Sequence, residues 1–564
     1  MYEPDLAPLA GSLPLSALVA LVPLAAIFFM LGVLRTKAHW AALAAVAVAT
    51  GVAVGVYHMP AKLALLSASE GAVFGLFPIM WIVFTAIWVY QLTVVSGRFE
   101  DLRRAFQLIS DDPRIQAIII AFCFGGLLEA LAGFGAPVAI TGVMLLALGF
   151  GPLRAATTVL VANTAPVAFG AIAIPIITAG TLTKIPYEEI GAYVGRQSPV
   201  LALIVPLLLV FLVDGRRGVR QTWPAALVCG GSFGAAQFAS ANFISVELTD
   251  IVASLAALVV TVAFLQIWRP RGGAEALATL RGERGEDPTD GTSPAGGGSR
   301  GSVATVGQRT AARVEITTGR VVMALMPYLV IIAVFSVAKL WEPAKTFLLG
   351  QDVKIEWPGL HGQVLTVAGK VSSTTIYTFP WLSSPGTMLL LAGILVTIIY
   401  RISPVVAARE LVAMAVKLRW AFLTVASVLA LAYVMNLSGQ TITVGAWIAG
   451  TGAAFAFLSP ILGWLGTAVT GSDTSANALF ATMQQTAAAK AGLDPTLMVA
   501  ANTSGGVVGK MISPQNLTIA VTAVGQLGKE HVLFRKVIRW SLLMLLGLCL
   551  LVFLQSNVLA WMLP

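Results

Sequence analysis

Residues 132–140, AGFGAPVAI, decide how this chain is read. They fall inside the apolar run 115–150, which otherwise reads as a buried helix. Yet they hold three helix-weakening residues, Gly133, Gly135 and Pro137, and an acid, Glu129, stands one turn before them. The surroundings that would tolerate both are read from the rest of the chain.

Of 564 residues, 57% are hydrophobic and only 11% charged, and the mean hydropathy is +0.87. That leaves too little polar surface to cover a soluble globule of this size, so the chain is expected in a bilayer. Apolar runs long enough to cross lie near 13–34, 39–57, 70–94, 115–150, 156–180, 198–213, 222–244, 250–267, 320–340, 386–400, 418–437, 444–468 and 540–562. The expected fold is an all-α polytopic membrane protein of about 12–16 transmembrane helices, because lipid satisfies no backbone polar group. The first run follows Glu3 and Asp5 with no basic residue and exceeds a secretory signal core, so it reads as the first membrane helix. Cys123, Cys229 and Cys549 stand alone in apolar segments, without metal-ligand or disulfide spacing. No cofactor or metal is expected. The net charge of +9 comes from short loops between apolar runs, which points to membrane topology and not to nucleic acid.

Basic connections occur at Arg35 and Lys37, from Arg98 to Arg114, from Arg216 to Arg220, at 269–320, from Arg401 to Arg419 and from Lys529 to Arg539. By the positive-inside rule these are cytoplasmic. The acidic N-terminus, the VELTD loop with Glu247 and Asp250, and the Pro/Trp-rich segment 341–385 then lie on the other side, and both termini are outside, in the periplasm. Residues 270–318, rich in Gly, Ser, Pro and mixed charge, read as a flexible cytoplasmic linker. The expected division is 1–114, N-terminal helices; 115–197, a first broken-helix module; 198–269, further helices; 270–318, the linker; 319–439, helices with an ordered external insertion at 341–385; 440–528, a second broken-helix module; and 529–564, a C-terminal transmembrane helix.

The second module rests on a repeat. NTAPVAFGAIAIP (163–175) and NTSGGVVGKMISP (502–514) match without a gap at Asn-Thr, at Gly170 with Gly509, and at Pro175 with Pro514. Gly133 precedes Asn163 by 30 residues, and Gly471 precedes Asn502 by 31. The charge pattern sends the first module from inside to outside and the second the other way, so the copies are inverted. Inverted repeats whose apolar segments are interrupted by Gly and Pro mark secondary transporters, with the ligand held near mid-membrane at broken or re-entrant helices. Gly is also frequent where membrane helices pack closely, which is the plainer reading of each match taken alone.

Charge inside the apolar runs is scarce: Glu129, Asp473 and Lys510 are the clear cases, with Glu70 near the outer end of its run. An isolated charge there costs at least ~2.5–3.5 kcal/mol on insertion scales, so each is a functional candidate. Glu129 and Asp473 are candidate proton-coupling groups, or they anchor a broken helix by accepting N–H bonds. Lys510 pairs either with a substrate carboxylate or with one of those two acids. TGSDTSAN (470–477) sets Ser472, Thr474 and Ser475 where a half-helix starts, which is small-anion chemistry as well as ordinary capping. Asn163, Thr164, Asn502, Thr503, Ser504 and Gln515, with Gly133 and Gly135 of the first break, complete the candidate substrate-binding set; Ser, Thr and Asn also serve as bridges between helices. His39, His58, His361 and His531 fall in or beside loops, and none is assigned to a buried relay or a metal.

The stretches GGLLEALAGFGAPVAITGVML, LVANTAPVAFGAIAIP, TGSDTSANALF and AANTSGGVVGKMISPQN, with WPAALVCGGSFGAAQFASANFISVEL and FPWLSSPGT, resemble the lactate permease family from about residue 12 to the C-terminus, outside the linker. The resemblance implies a proton-coupled permease of the bacterial inner membrane for L-lactate, D-lactate and glycolate, working by alternating access; membrane lipid is its expected surroundings, and the sequence leaves monomer and homodimer both open. It maps the family's glutamate-bearing Gly-rich break onto Glu129–Pro137 and its serine-aspartate break onto Ser472–Asn477. The alternative is a sodium-coupled carrier of other organic anions, since oxygens at broken helices also suit Na⁺. An intramembrane hydrolase is disfavoured by the lack of a Ser/His pairing, and a channel by buried charges at breaks. No enzyme activity is expected.

Overall fold

The computed structural model describes residues 1–133, 135–283, 317–367 and 369–564. Helix dominates, and the only paired strands among these residues are the short antiparallel Val353–Glu356 and Ile376–Phe379. Among the described residues ten helices are long and apolar enough to cross a membrane, or eleven if the bent pair Pro152–Ala162 and Val167–Thr183, at 64°, forms one span.

That is fewer than the 12–16 expected, for identifiable reasons. Tyr187–Ile244 counts once at 58 residues, but the chain turns at Asp214 and Gly215, whose φ is +60°. Beyond the turn the chain runs back: a methyl group on Gly230 would meet the Ala202 carbonyl at 2.6 Å, and one on Gly234 the Pro199 carbonyl at 3.2 Å. The unit is therefore two antiparallel arms. Other segments are too short, such as Ala136–Ala147 and Pro385–Ile399, while Asp473–Ala491 carries Asp473, Asn477, Gln484 and Lys490.

Two buried ionic knots fix the ends of these helices. Arg114, fully buried, donates to Asp112 at 2.7 Å, to Asp214 at 3.0 Å, to Gln221 at 2.5 Å and to the Arg271 carbonyl at 2.7 Å. It thereby joins the first broken-helix segment to the turn at Asp214 and to the start of the segment read as a linker. That segment is not irregular throughout: Gly273–Glu283 is helical and buries Ala276 and Leu280, because apolar residues at i and i+4 give it a face to pack. Residues 284–316 lie outside the described ones. At the other end Lys339 meets Glu247 at 2.8 Å and Tyr187 at 2.6 Å, and Ser245 donates to Glu247 at 2.7 Å. Burial pushes the Glu247 carboxyl up, but the Lys339 charge and these hydrogen bonds outweigh it and hold the pKa at about 2.

Within the 341–385 segment the described residues form a helix at Glu342–Gly350 and then the strand pair. The N-terminus packs on it, Tyr2 donating its amide to the Gln363 carbonyl at 2.7 Å and its hydroxyl to the carbonyls of Tyr57 at 3.1 Å and Ser438 at 2.9 Å.

Each module repeats one order of parts, helix, break, helix, then again helix, break, helix. In the first, Pro113–Ala132 stops at Gly133, and Gly135, at φ +89°, admits Ala136–Ala147; Pro152–Ala162 then breaks before Gly170–Thr183, where Ala171, Ile172 and Ala173 take left-handed backbone. In the second, Phe455–Thr470 breaks at Gly471, φ +78°, before Asp473–Ala491, and Pro495–Gly509 breaks at Lys510–Ser513 before Pro514–Ala523. The gapless residue match is displaced relative to these parts. Asn163 ends its helix while Asn502 lies inside one, and Pro175 is internal while Pro514 starts a helix.

Candidate substrate site between the two breaks

Where Pro113–Ala132 stops, the Glu129 side chain folds back over two glycines. A methyl group on either Gly133 or Gly170 would lie 2.8 Å from its Oε1, so only glycine leaves room for the carboxylate at both positions. From the other module Lys510, 381 residues further on, donates to Glu129 Oε1 at 2.6 Å and to the Gly133 carbonyl at 3.0 Å. The two breaks are thus joined by one ion pair, with Glu129 only 2% exposed and its Oε2 left without a hydrogen-bond partner. Of the two acids open to Lys510 in sequence, Glu129 is the one it meets.

The second break supplies a helix start. Ser472 caps Asp473–Ala491, its Oγ accepting from the Ser475 amide at 3.3 Å. The first N–H groups of a helix have no intrahelical acceptor, and the dipole there favours an anion. Asp473 is 3% exposed; its Oδ1 accepts from Thr467 at 3.4 Å, and its Oδ2 has no partner. It fits only because Gly506 opposite has no side chain: a Cβ there would run into Oδ1.

Both breaks face one cavity of about 1450 Å³. Its walls include Glu129, Gly133, Gly135, Ser472, Asp473, Thr474, Ser475, Lys510 and Gln515, and its mouth holds the exposed Arg35, Lys37 and His531. Five candidates lie elsewhere. Asn502 and Thr503 donate to Asn477 at 2.9 and 3.0 Å, Gln484 donates to Asn502 at 3.0 Å, and Ser504 donates to Gln197 at 2.5 Å. These side chains bind helices to one another, and Gly505 and Gly509 beside them press on the carbonyls of Pro460 and Trp464, which is the close-packing use of glycine. Asn163 and Thr164 line a separate, water-sized space behind Lys510, and Asn163 Oδ1 has no partner there.

Three residues differ from their reading in sequence. His39 is 6% exposed in the first turn of Ala38–Gly55, stacked on Trp420 at 4.5 Å, and lines the cavity. Glu70 is fully buried with neither carboxylate oxygen bonded, and is not at a segment end open to solvent. Asp250 is fully buried in the first turn of Thr249–Ile267, although its neighbours in VELTD suggest an outer loop. The signal available in sequence for Asp250 was its place at the edge of an apolar run.

The family model described as L-lactate permease matches residues 16–559. The chain is 42% identical to the L-lactate permease of Bacillus subtilis strain 168, with 99% of each chain covered. It is 41% identical to the glycolate permease of Escherichia coli K12, with 100% of this chain and 99% of the relative covered, and 42% identical to the L-lactate permease of Salmonella typhi over the same shares. Among solved structures the Alcanivorax borkumensis YdaH transporter aligns with 77% of this chain and 87% of its own at 16% identity, but the TM-score is 0.27, too low to argue from. On the match across nearly its whole length, the chain belongs to the L-lactate permease family.

Proposed function

We propose that this chain is a secondary carrier of lactate and glycolate that moves one proton with each monocarboxylate by alternating access. The observation that carries the reading is the Lys510–Glu129 pair at the meeting of two broken helices on one cavity. An ammonium already bound to a carboxylate in a polar recess is matched to a substrate carboxylate that takes the same place. The N–H group of Thr474 at the helix start, with the hydroxyls of Ser472, Thr474 and Ser475 and the amide of Gln515, offers donors to the substrate's 2-hydroxyl and second carboxylate oxygen.

When lactate takes Lys510, Glu129 is left as a buried carboxylate without its cation, and a proton from the cavity removes that cost. The loaded carrier then returns across the membrane as a neutral addition of H⁺ and lactate⁻. The inverted modules, with both termini outside, supply two equivalent ways of opening the site, and the mouth at Arg35, Lys37 and His531 is the cytoplasmic one.

The test is uptake of radiolabelled lactate and glycolate into proteoliposomes under an imposed pH gradient, with and without Na⁺. Accumulation that follows the pH gradient, ignores Na⁺ and falls at least tenfold in both Glu129→Gln and Lys510→Met is the expected outcome. Uptake that requires Na⁺ at fixed pH, or pH-driven accumulation that survives Glu129→Gln and Asp473→Asn, defeats it.

A further inference from the structure

Asp250 has no part in the site as drawn above, yet it is a fully buried acid with neither oxygen hydrogen-bonded. Its helix, Thr249–Ile267, packs on the Glu129 helix and runs antiparallel to it, since Cys123 lies by Cys229 and Gly126 by Phe233 on an arm parallel to the Glu129 helix, and Thr249–Ile267 turns back along that arm; the register is fixed by Gly126, whose missing side chain makes room for the Ser254 hydroxyl. From that contact Glu129 lies three residues along one helix and Asp250 four residues back along the other, in the same direction. At 1.5 Å per residue the acids sit about 4.5 and about 6 Å beyond the contact, at nearly one depth. The charged groups that act on Asp250 among the described residues are Glu129 and Lys510. No charged group of the Tyr187–Ala239 or Gly170–Thr183 helices packed beside it does so.

Counted as ionised, Glu129 and Asp250 together outnumber the one ammonium that acts on both. Among the described residues Lys510 is the single ammonium that acts on Glu129, Asp250 and, from the second break, Asp473. A substrate anion brings a further carboxylate to the same ammonium. We propose that Asp250 is the positioning residue that makes proton uptake obligatory: behind Glu129 it is a second acid on one cation, so Lys510 cannot turn to a carboxylate substrate unless the Glu129–Asp250 pair takes a proton. The proton comes from water in the cavity to Glu129, and with that carboxylate neutralised its repulsion with Asp250 is removed. No other bond changes, and the site keeps its net charge, gaining one anion and one proton. Two carboxyls in one apolar site bind a proton as a unit, more tightly than either alone.

This assignment rests on the proton-symport reading, and one experiment separates the two. Proton uptake per bound lactate is measured with a pH dye in weakly buffered detergent solution across pH 5–9 for the wild type, Asp250→Asn and Asp250→Glu. The wild type is expected to take up about one proton per lactate, up to a midpoint above which uptake falls. Asp250→Asn, which keeps shape and loses charge, moves that midpoint down by at least about one pH unit, a tenfold loss of proton affinity, while Asp250→Glu holds it near the wild-type value. An unmoved midpoint in Asp250→Asn overturns the assignment and leaves the symport reading intact. So does lactate binding lost in both variants while each remains monodisperse, since that is a packing role. If Asp250→Asn does not fold, a midpoint in Asp250→Glu displaced as far as that expected for Asn counts equally against it. A wild type that binds lactate with no proton uptake removes the symport reading and this one together.

Discussion

At the scale of single residues, the carboxylate of Glu129 is defined by what surrounds it: two glycines, one ammonium and one unsatisfied oxygen. Gly170→Ala puts a methyl group 2.8 Å from Oε1 and 3.1 Å from Cγ, so the carboxylate must leave its recess or the helix must shift. Overpacking of this kind costs about 1–3 kcal/mol. The variant is expected to fold with a lowered melting temperature and to lose most of its pH-driven lactate uptake; melting and uptake equal to wild type show that the recess does not hold the carboxylate. Lys510→Met tests the ion pair itself. Removing one partner of a buried pair leaves an uncompensated charge and costs about 3–5 kcal/mol, whereas removing both is far milder. Thermal unfolding in detergent should therefore rank the double variant Glu129→Gln, Lys510→Met above Lys510→Met alone. These residues were legible in sequence because a charge in an apolar run is rare enough to be noticed. Asp250 was not, since it sits at the border of a run beside Glu247, and only the antiparallel register with Gly126 reveals which side of the border it faces. His39 escaped for a similar reason: a loop-edge histidine gives no sign in sequence of stacking on Trp420.

At the scale of elements, the breaks were readable and their internal register was not. Gly133, Gly135 and Gly471 interrupt helices where their sequences say they should, two of them at positive φ that side chains seldom take. The Asn-Thr pairs misled because the same dipeptide ends one helix at Asn163 and bridges helices at Asn502, and hydrogen-bonding type alone does not distinguish a cap from an interhelical tie. The join of Lys339 to Glu247 was likewise hidden, since the partners are 92 residues apart and meet only when the Thr318–Leu340 helix packs beside the turn that precedes Thr249–Ile267. That join has a pH signature. The Glu247 pKa is held near 2, below the usual 4.5, so the carboxylate contributes its full stability above about pH 4.5 and loses it as pH falls toward 2. The full contribution is of order 3 kcal/mol. The difference in unfolding free energy between wild type and Glu247→Gln is expected to be largest at pH 6 and to narrow by about 2 kcal/mol at pH 3; a gap that is constant across this range denies the coupling.

At the scale of the whole molecule, composition and loop charge were enough to place the chain in a bilayer, because burying so much apolar surface leaves no soluble alternative. The cavity that unites the breaks was beyond reach, since it depends on how residues hundreds of positions apart converge. Its form carries a consequence for energetics. The basic mouth at Arg35, Lys37 and His531 raises the local concentration of anions, while the floor offers one ammonium to an excess of acids. A substrate anion arriving there without a proton would leave the loaded site one charge more negative than the empty one, and its return would then respond to membrane potential at about 2.3 kcal/mol per 100 mV. Proton uptake on the acids removes that charge, so transport is expected to be electroneutral: driven by the pH and lactate gradients, indifferent to potential. The check is lactate uptake at a fixed pH gradient while a potassium diffusion potential is set with valinomycin at several values, inside negative and inside positive. Equal initial rates at every potential support one proton per lactate, whereas a lactate-induced current that grows with the imposed potential requires a different stoichiometry and with it a different protonation of the Glu129 site.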